Sequence, residues 1–171
     1  MYYYKYMPSP VGKLTLISGD NQLTAVLWEN DRPNRVQATP DLENNTHPVL
    51  LEAEKQLQEY FDGQRNQFDL PLNPIGTDFQ KEVWRVLASI PYGSTLSYAD
   101  IARKLGNLKA VRAVGAANGR NPLSIIVPCH RVIGTDGKLT GFAGGLEAKA
   151  WLLSREGITS APAAPTQLSL L

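Results

Sequence analysis

An α+β fold is what this sequence predicts, from three observations. Apolar residues alternate with polar ones over the first thirty positions, apolar residues recur at helical spacing in later stretches, and Gly, Pro and Asp punctuate the boundaries. Together they describe a small antiparallel sheet with one helix, then a mostly helical second part.

Tyr2 to Met7 reads as a first strand, and Pro8-Ser9-Pro10 with Gly12 as a turn. Leu14 and Leu16 alternate with Lys13 and Thr15, Gly19-Asp20-Asn21 turns the chain again, and Leu23, Ala25 and Leu27 alternate toward Trp28. Glu29 to Thr46 is polar and reads as a loop. Val49, Ala53, Leu57 and Tyr60 mark a helix that stops at Asp62-Gly63. Residues 64 to 76, with Pro71 and Pro74, read as a linker, so a first domain is expected over 1–76.

A second domain is expected over 77–157. Thr77-Asp78-Phe79-Gln80 carries a capping-box pattern, and Phe79, Val83, Val86, Leu87 and Ile90 line one helical face. Ser97 to Asp100 offers a second box and opens a short helix to Gly106. Ala110 to Asn118 forms another, and the pair describes a helix-turn-helix, a pattern that many αα-hairpins share. Ile125 to Val127 reads as a short buried strand, Asp136-Gly137 as a hairpin turn, Gly141 to Gly145 as a loop, and Leu146 to Glu156 as a last helix. The tail, 158–171, is small and polar and is expected to be disordered.

With 43% hydrophobic and 19% charged residues, the composition is that of an ordinary globular protein. One cysteine excludes an internal disulfide. One Cys and two His are too few for a structural zinc site without carboxylates, so no metal is expected, and no cofactor motif is present. The N-terminal residues lack the apolar core of a signal peptide and no stretch reaches membrane-spanning length, so a cytoplasmic protein with no membrane partner is expected. Net charge is only +1, yet residues 1 to 78 carry six Lys/Arg against eleven Asp/Glu, and residues 79 to 157 carry eleven against five. A basic second half suits a polyanion, although two solvated surfaces of opposite sign would read the same way.

The sole cysteine, Cys129, stands between Pro128 and His130, after the apolar run Ile125-Ile126-Val127. A lone thiol there is a small core residue or a nucleophile. A free cysteine, with a pKa of about 8.5, is only slightly ionised near neutrality. A dominant thiolate needs a downward shift of roughly two units, about 2.7 kcal/mol. An adjacent imidazole that takes the proton supplies it. Successive strand residues point opposite ways, so the two cooperate only if the strand ends there or a water bridges them.

Asn121-Pro122 followed by Ile125-Ile126-Val127-Pro128-Cys129-His130-Arg131-Val132-Ile133-Gly134 resembles the signature of O6-alkylguanine-DNA alkyltransferases of bacterial type. Arg112-Ala113-Val114-Gly115, Gly144-Gly145, Trp151-Leu152-Leu153 and Glu156-Gly157 fit the same family, closely over 77–157 and loosely before it. The resemblance implies a ribonuclease-H-like first domain and a winged helix-turn-helix in the second. It implies DNA repair by single-use transfer of a methyl or larger alkyl group from O6 of guanine, and O4 of thymine, to Cys129. The damaged base in double-stranded DNA must first be flipped out. In this pattern His130 matches the base acting through a water, Glu156 orients the imidazole, and Asn121 ties the loop. Tyr98 matches the phenol that protonates the leaving base, and Arg112 the side chain inserted into the vacated stack. The carbonyls of Val127 and Cys129 would read the exocyclic amine. Val132, Phe142, Ala143 and Gly144 would line the base pocket. The residues alone leave plainer readings open: Arg112 as a solvated helix arginine, Tyr98 as a helix cap, Glu156 as a partner of Lys149 or Arg155.

Two positions depart from members that carry Tyr and Ser in the glycine loop. Phe142 lacks a hydroxyl and Ala143 lacks a donor, which predicts a roomier, more apolar pocket. In the tail, Gln167-Leu168-Ser169-Leu170-Leu171 resembles the peptide that bacterial repair proteins insert into the replication sliding clamp, with Leu171 in place of the usual phenylalanine. Two rival functions remain on the sequence alone. One is a binding module that engages damaged DNA without chemistry or a helix-turn-helix regulator, and the other a cysteine hydrolase, for which no motif is present.

Overall fold

The computed structural model describes residues 1–158, and the clamp-like motif at Gln167–Leu171 lies outside them. The chain forms two compact units, Met1–Gly76 with Pro122–Ile126, and Thr77–Asn121 with the residues from Val127 on. The stretch expected over 77–157 is therefore interrupted, because Pro122–Ile126 joins the first unit.

The first unit is a four-stranded sheet with one helix. Strands β1 (Tyr3–Met7), β2 (Leu14–Ser18), β3 (Leu23–Leu27) and β4 (Leu42–Glu43) lie in the order β3-β2-β1-β4. The first three pair antiparallel as the alternation predicts, with Tyr4 opposite Ile17 and Leu16 opposite Val26. β4 runs parallel to β1, which makes the sheet mixed rather than antiparallel. This two-residue strand comes from the segment read as loop, and is too short for any periodicity to announce it. Strands β2 and β3 are buried on both faces. Leu14, Leu16 and Val26 alternate with Ile17 and Ala25, all fully buried. Ala38 and Val36, carried by the connection between β3 and β4, pack on the Ile17 and Ala25 side. That connection is fastened by Arg35, whose Nε and Nη2 reach the Asp31 carboxylate at 2.6 and 2.9 Å. Helix α1 (Pro48–Phe61) is capped by His47 Nδ1, which accepts from the Val49 amide, and buries Leu50, Ala53, Leu57 and Tyr60.

The linker reading of residues 64–76 needs refinement. Leu23 N donates to Pro71 O at 2.8 Å and Asn73 N to Leu23 O at 2.8 Å, so Pro71–Asn73 is laid along β3. Further along the same strand, Val26 N donates to Pro122 O at 2.8 Å, and Val26 bridges Leu123.

The second unit is mostly helical. Helix α2 (Asp78–Ala88) starts with the expected capping box, Gln80 N donating to Thr77 Oγ1 at 3.1 Å and Thr77 N to Gln80 Oε1 at 2.9 Å. Strand β5 (Leu96–Ser97) leads into helix α3 (Tyr98–Lys104), whose box joins Ser97 and Asp100 in the same reciprocal way. After Gly106, with φ of 78°, a 3-10 turn over Leu108–Ala110 introduces helix α4 (Val111–Gly119). Trp84 of α2 donates its indole N–H to Ala117 O of α4 at 2.8 Å. A second 3-10 turn spans Cys129–Arg131, strand β6 (Val132–Ile133) pairs parallel with β5, and helix α5 (Leu146–Arg155) follows.

Two local expectations change. Ile125–Val127 is not a strand: Ile125 has φ of 75° and the chain turns there. A β-branched residue in that region costs on the order of 1–3 kcal/mol and persists only where its surroundings fix it; Ile125 is fully buried. The Asp136-Gly137 turn forms, closed by Gly134 N to Lys138 O at 2.9 Å, but no returning strand follows before α5. The residues beyond it bond elsewhere, as Thr140 shows below.

Candidate active site

Pro128 leads directly into the Cys129–Arg131 turn, where Arg131 N donates to Pro128 O at 3.0 Å. This change of backbone frees Cys129 and His130 from the opposite-facing geometry of a strand. Asn121 spans the start of the loop and its exit, donating Nδ2 to Val127 O at 2.8 Å. The same carbonyl accepts the Cys129 amide at 2.8 Å. Both lone pairs of Val127 O are thus engaged, which disfavours the expectation that it reads a base amine. The Cys129 carbonyl accepts the Val132 amide.

His130 is fully buried, and its Nε2 stands 2.7 Å from Glu156 Oε2. Glu156 terminates α5, and its carboxylate accepts from several donors. Arg131 reaches Oε1 through Nε at 2.8 Å and Oε2 through Nη2 at 3.1 Å, and the Gly93 amide reaches Oε1 at 3.1 Å. A carboxylate so surrounded is an acceptor, so Nε2 carries the imidazole proton and Nδ1 is the basic nitrogen. Nδ1 is buried with no protein partner among the described residues. Burial holds the His130 pKa below its ordinary value; Glu156 opposes this, and the charges of Arg131 and Lys149 add to it. The ring is therefore neutral near pH 7 and available as a base.

The Glu156 carboxylate is engaged by His130 and Arg131. Arg155 lies over the Trp151 ring, and Lys149 turns toward Thr140. Tyr98 is the first residue of α3, but Ser97 supplies the cap; the phenol instead meets Thr140 Oγ1 at 2.6 Å. Burial raises the Tyr98 pKa, partly offset by the Thr140 hydrogen bond, so the phenol holds its proton. Arg112 is exposed near the start of α4. Val132 is buried in β6. Phe142, Ala143 and Gly144 lie half-buried in a turn closed by Gly145 N to Phe142 O at 2.9 Å.

Sequence reasoning missed three participants. Arg131 had no visible partner, because the carboxylate it grips is 25 residues away. Lys149 enters the sequence reading only as a partner of Glu156, and it has no exposed surface. Thr140 lies in an undistinguished loop position.

Known proteins resemble this chain over nearly its whole length. Residues 78–158 match the domain described as 6-O-methylguanine DNA methyltransferase, DNA binding domain, and residues 2–74 its ribonuclease-like domain. A methylated-DNA–protein-cysteine methyltransferase of Methanosarcina acetivorans is 47% identical over 91% of this chain and 98% of its own length. The constitutive one of Bacillus subtilis is 48% identical over 93% and 98%. The crystal structure of Mycobacterium tuberculosis OGT in complex with DNA superposes with a TM-score of 0.80 at 45% identity, covering 96% of this chain and 98% of that one. On these grounds the chain belongs to the methylated-DNA–protein-cysteine methyltransferase family.

Proposed function

We propose that this chain repairs DNA by accepting a methyl or larger alkyl group from O6 of guanine on the Sγ of Cys129, once per molecule. The observation that carries the reading is the neutral, buried His130, held through Nε2 by Glu156 immediately after the chain's sole cysteine. The thiol proton passes to Nδ1 through a water. The sulfur then attacks the alkyl carbon, an S–C bond forms as the C–O6 bond breaks, and guanine departs with the electron pair. Glu156 stabilises the imidazolium that results, and Arg131 keeps the carboxylate ionised and fixed. Because a thioether is not reversed by thiol exchange, each molecule is consumed.

The remaining assignments follow from the same reading. Tyr98 protonates the departing base. Val132, Phe142, Ala143 and Gly144 line its pocket. Arg112 enters the stack left by the flipped nucleotide, a step that costs a few kcal/mol, less for a lesion whose pairing is already weakened. Its exposure on α4, in the basic half of the chain, supports this. Phosphate contacts position the protein, so sequence preference is low. The 77–157 region binds DNA and carries the chemistry, residues 1–76 support it, and O4 of thymine is a second substrate. The work is done in the cytoplasm, and Gln167–Leu171 docks on the sliding clamp.

Intact-mass measurement after incubation with duplex DNA containing O6-methylguanine tests the reading. One methyl mass on the peptide containing Cys129, and none on Cys129→Ser, is expected. Binding without mass gain would make the chain a lesion-binding module, and multiple turnover would make it a hydrolase.

A further inference from the structure

Lys149 is fully buried and, among the described residues, has no carboxylate partner. An ammonium group in such a place needs a reason, since burial of an unpaired charge is costly. Its Nζ donates to the Thr140 carbonyl at 3.4 Å and to Thr140 Oγ1 at 3.3 Å, and it stands 5.9 Å from the Phe142 ring centroid. Thr140 Oγ1 in turn lies 2.6 Å from the Tyr98 hydroxyl.

The donor inventory gives this chain of contacts a direction. A lysine ammonium only donates, so Thr140 Oγ1 is the acceptor toward Lys149. Its one proton is then free to go to Tyr98 Oη, an arrangement that releases the tyrosine proton for whatever lies beyond. Three segments meet to build it: the start of α3, the loop before α5, and α5 itself.

We propose that Lys149 and Thr140 form a proton relay behind Tyr98 that supplies the proton taken up by the departing guanine. The inference rests on the alkyl-transfer reading above and adds the source of the proton. As C–O6 breaks, guanine takes the proton of Tyr98, Tyr98 takes that of Thr140, and Thr140 takes one from Lys149, which ends as a neutral amine. The proton that His130 removed from the thiol goes to solvent, and solvent recharges the lysine. Burial brings the Lys149 pKa down to about 8, so the ammonium releases a proton far more readily than an exposed lysine does and is still charged at neutral pH. That is the range in which a general acid works best. Thr140 and Lys149 touch neither sulfur nor base in this scheme; they act through Tyr98.

The test compares two alkyl donors. Transfer from O6-methylguanine in DNA needs a proton on the leaving group, whereas alkylation of Cys129 by methyl iodide expels iodide and needs none. Single-turnover rates are measured for wild type, Thr140→Val, Thr140→Ser and Lys149→Met, with lesion-DNA affinity in parallel. Thr140→Val is expected to slow transfer from DNA by about tenfold to a hundredfold, with affinity and methyl iodide rate within about twofold, and Thr140→Ser to restore it. In a Tyr98→Phe background Thr140→Val should add nothing, because the relay has lost its end. Equal slowing with both donors would mean that these groups poise the thiolate, and would overturn the relay. So would an unchanged transfer rate in both Thr140→Val and Lys149→Met. A wild-type protein that takes methyl from iodide but never from DNA would refute the alkyl-transfer reading itself, independently of the variants.

Discussion

Arg131 holds both oxygens of Glu156, at 2.8 and 3.1 Å, and so adds to the burial that keeps His130 neutral. With an arginine already balancing the carboxylate, the imidazole is not needed as the counter-charge. It remains a neutral ring, oriented by its Nε2 proton. The charge pair is buried, its net contribution to stability is modest, and its value lies in fixing a base beside a thiol.

Glu156→Gln tests this arrangement. The substitution leaves Arg131 charged and buried with no anion, and removes the group that stabilises the imidazolium. The expected results are a loss of about 3–5 kcal/mol in urea unfolding and a fall in single-turnover transfer of about a hundredfold. Unchanged stability would show that Arg131 finds another partner.

The buried His130 makes stability fall in acid. Its native pKa is depressed, chiefly by burial, from the ordinary 6.5. Below about pH 6.5 the unfolded chain binds a proton that the native state refuses, so stability drops by up to about 1.4 kcal/mol per pH unit until the native pKa is passed. Above that window the group contributes no pH dependence. Wild type should therefore lose more stability than His130→Asn between about pH 7 and pH 5; parallel curves would contradict a neutral imidazole.

Lys149 acts in the opposite range. With a native pKa of about 8 against 10.5 in the unfolded chain, both states are protonated below pH 8 and the cost of burying the charge is fully present. Stability due to this group rises from about pH 8 to 10.5, where the unfolded state keeps a proton the native state has shed. Lys149→Met should then be more stable than wild type near neutrality by up to about 3 kcal/mol, an advantage that fades toward pH 10.5. Urea midpoints across pH decide it: a destabilised variant would mean that the Thr140 contacts outweigh the burial.

In the proposed reading the glycine loop would set the range of lesions. Phe142 and Ala143 lack the hydroxyls of Tyr and Ser, so the pocket should accept bulkier groups. The rate for O6-butylguanine relative to O6-methylguanine is expected to be higher in wild type than in Phe142→Tyr/Ala143→Ser. Identical ratios would remove the pocket argument.

Local rules read the chain well where the cause was local. Thr77 with Gln80 and Ser97 with Asp100 announced two helix starts because their hydrogen bonds span three residues. The pairing of β1, β2 and β3 was legible in alternation. The sequence neighbours Cys129 and His130 lie in one tight turn, which the strand reading of 125–127 did not foresee. Ile125 misled, since three apolar β-branched residues suit a strand, and only packing forces the φ of 75°. Residues 122–126 gave no hint that they belong with the first unit, because their partner, Val26, is almost a hundred residues earlier. The contact between Lys149 and Thr140 was invisible for a related reason. A lysine in an amphipathic helix reads as solvent-facing until the loop that covers it is in view.

The borders of the N-terminal sheet carry one more consequence. At one margin β3 is capped by Pro71–Asn73 and Pro122–Leu123, and at the other β4 is only two residues long. Neither margin presents the long unsatisfied ladder that recruits strands from other molecules into fibrils. Copies of this chain can therefore be crowded without the sheet seeding aggregation.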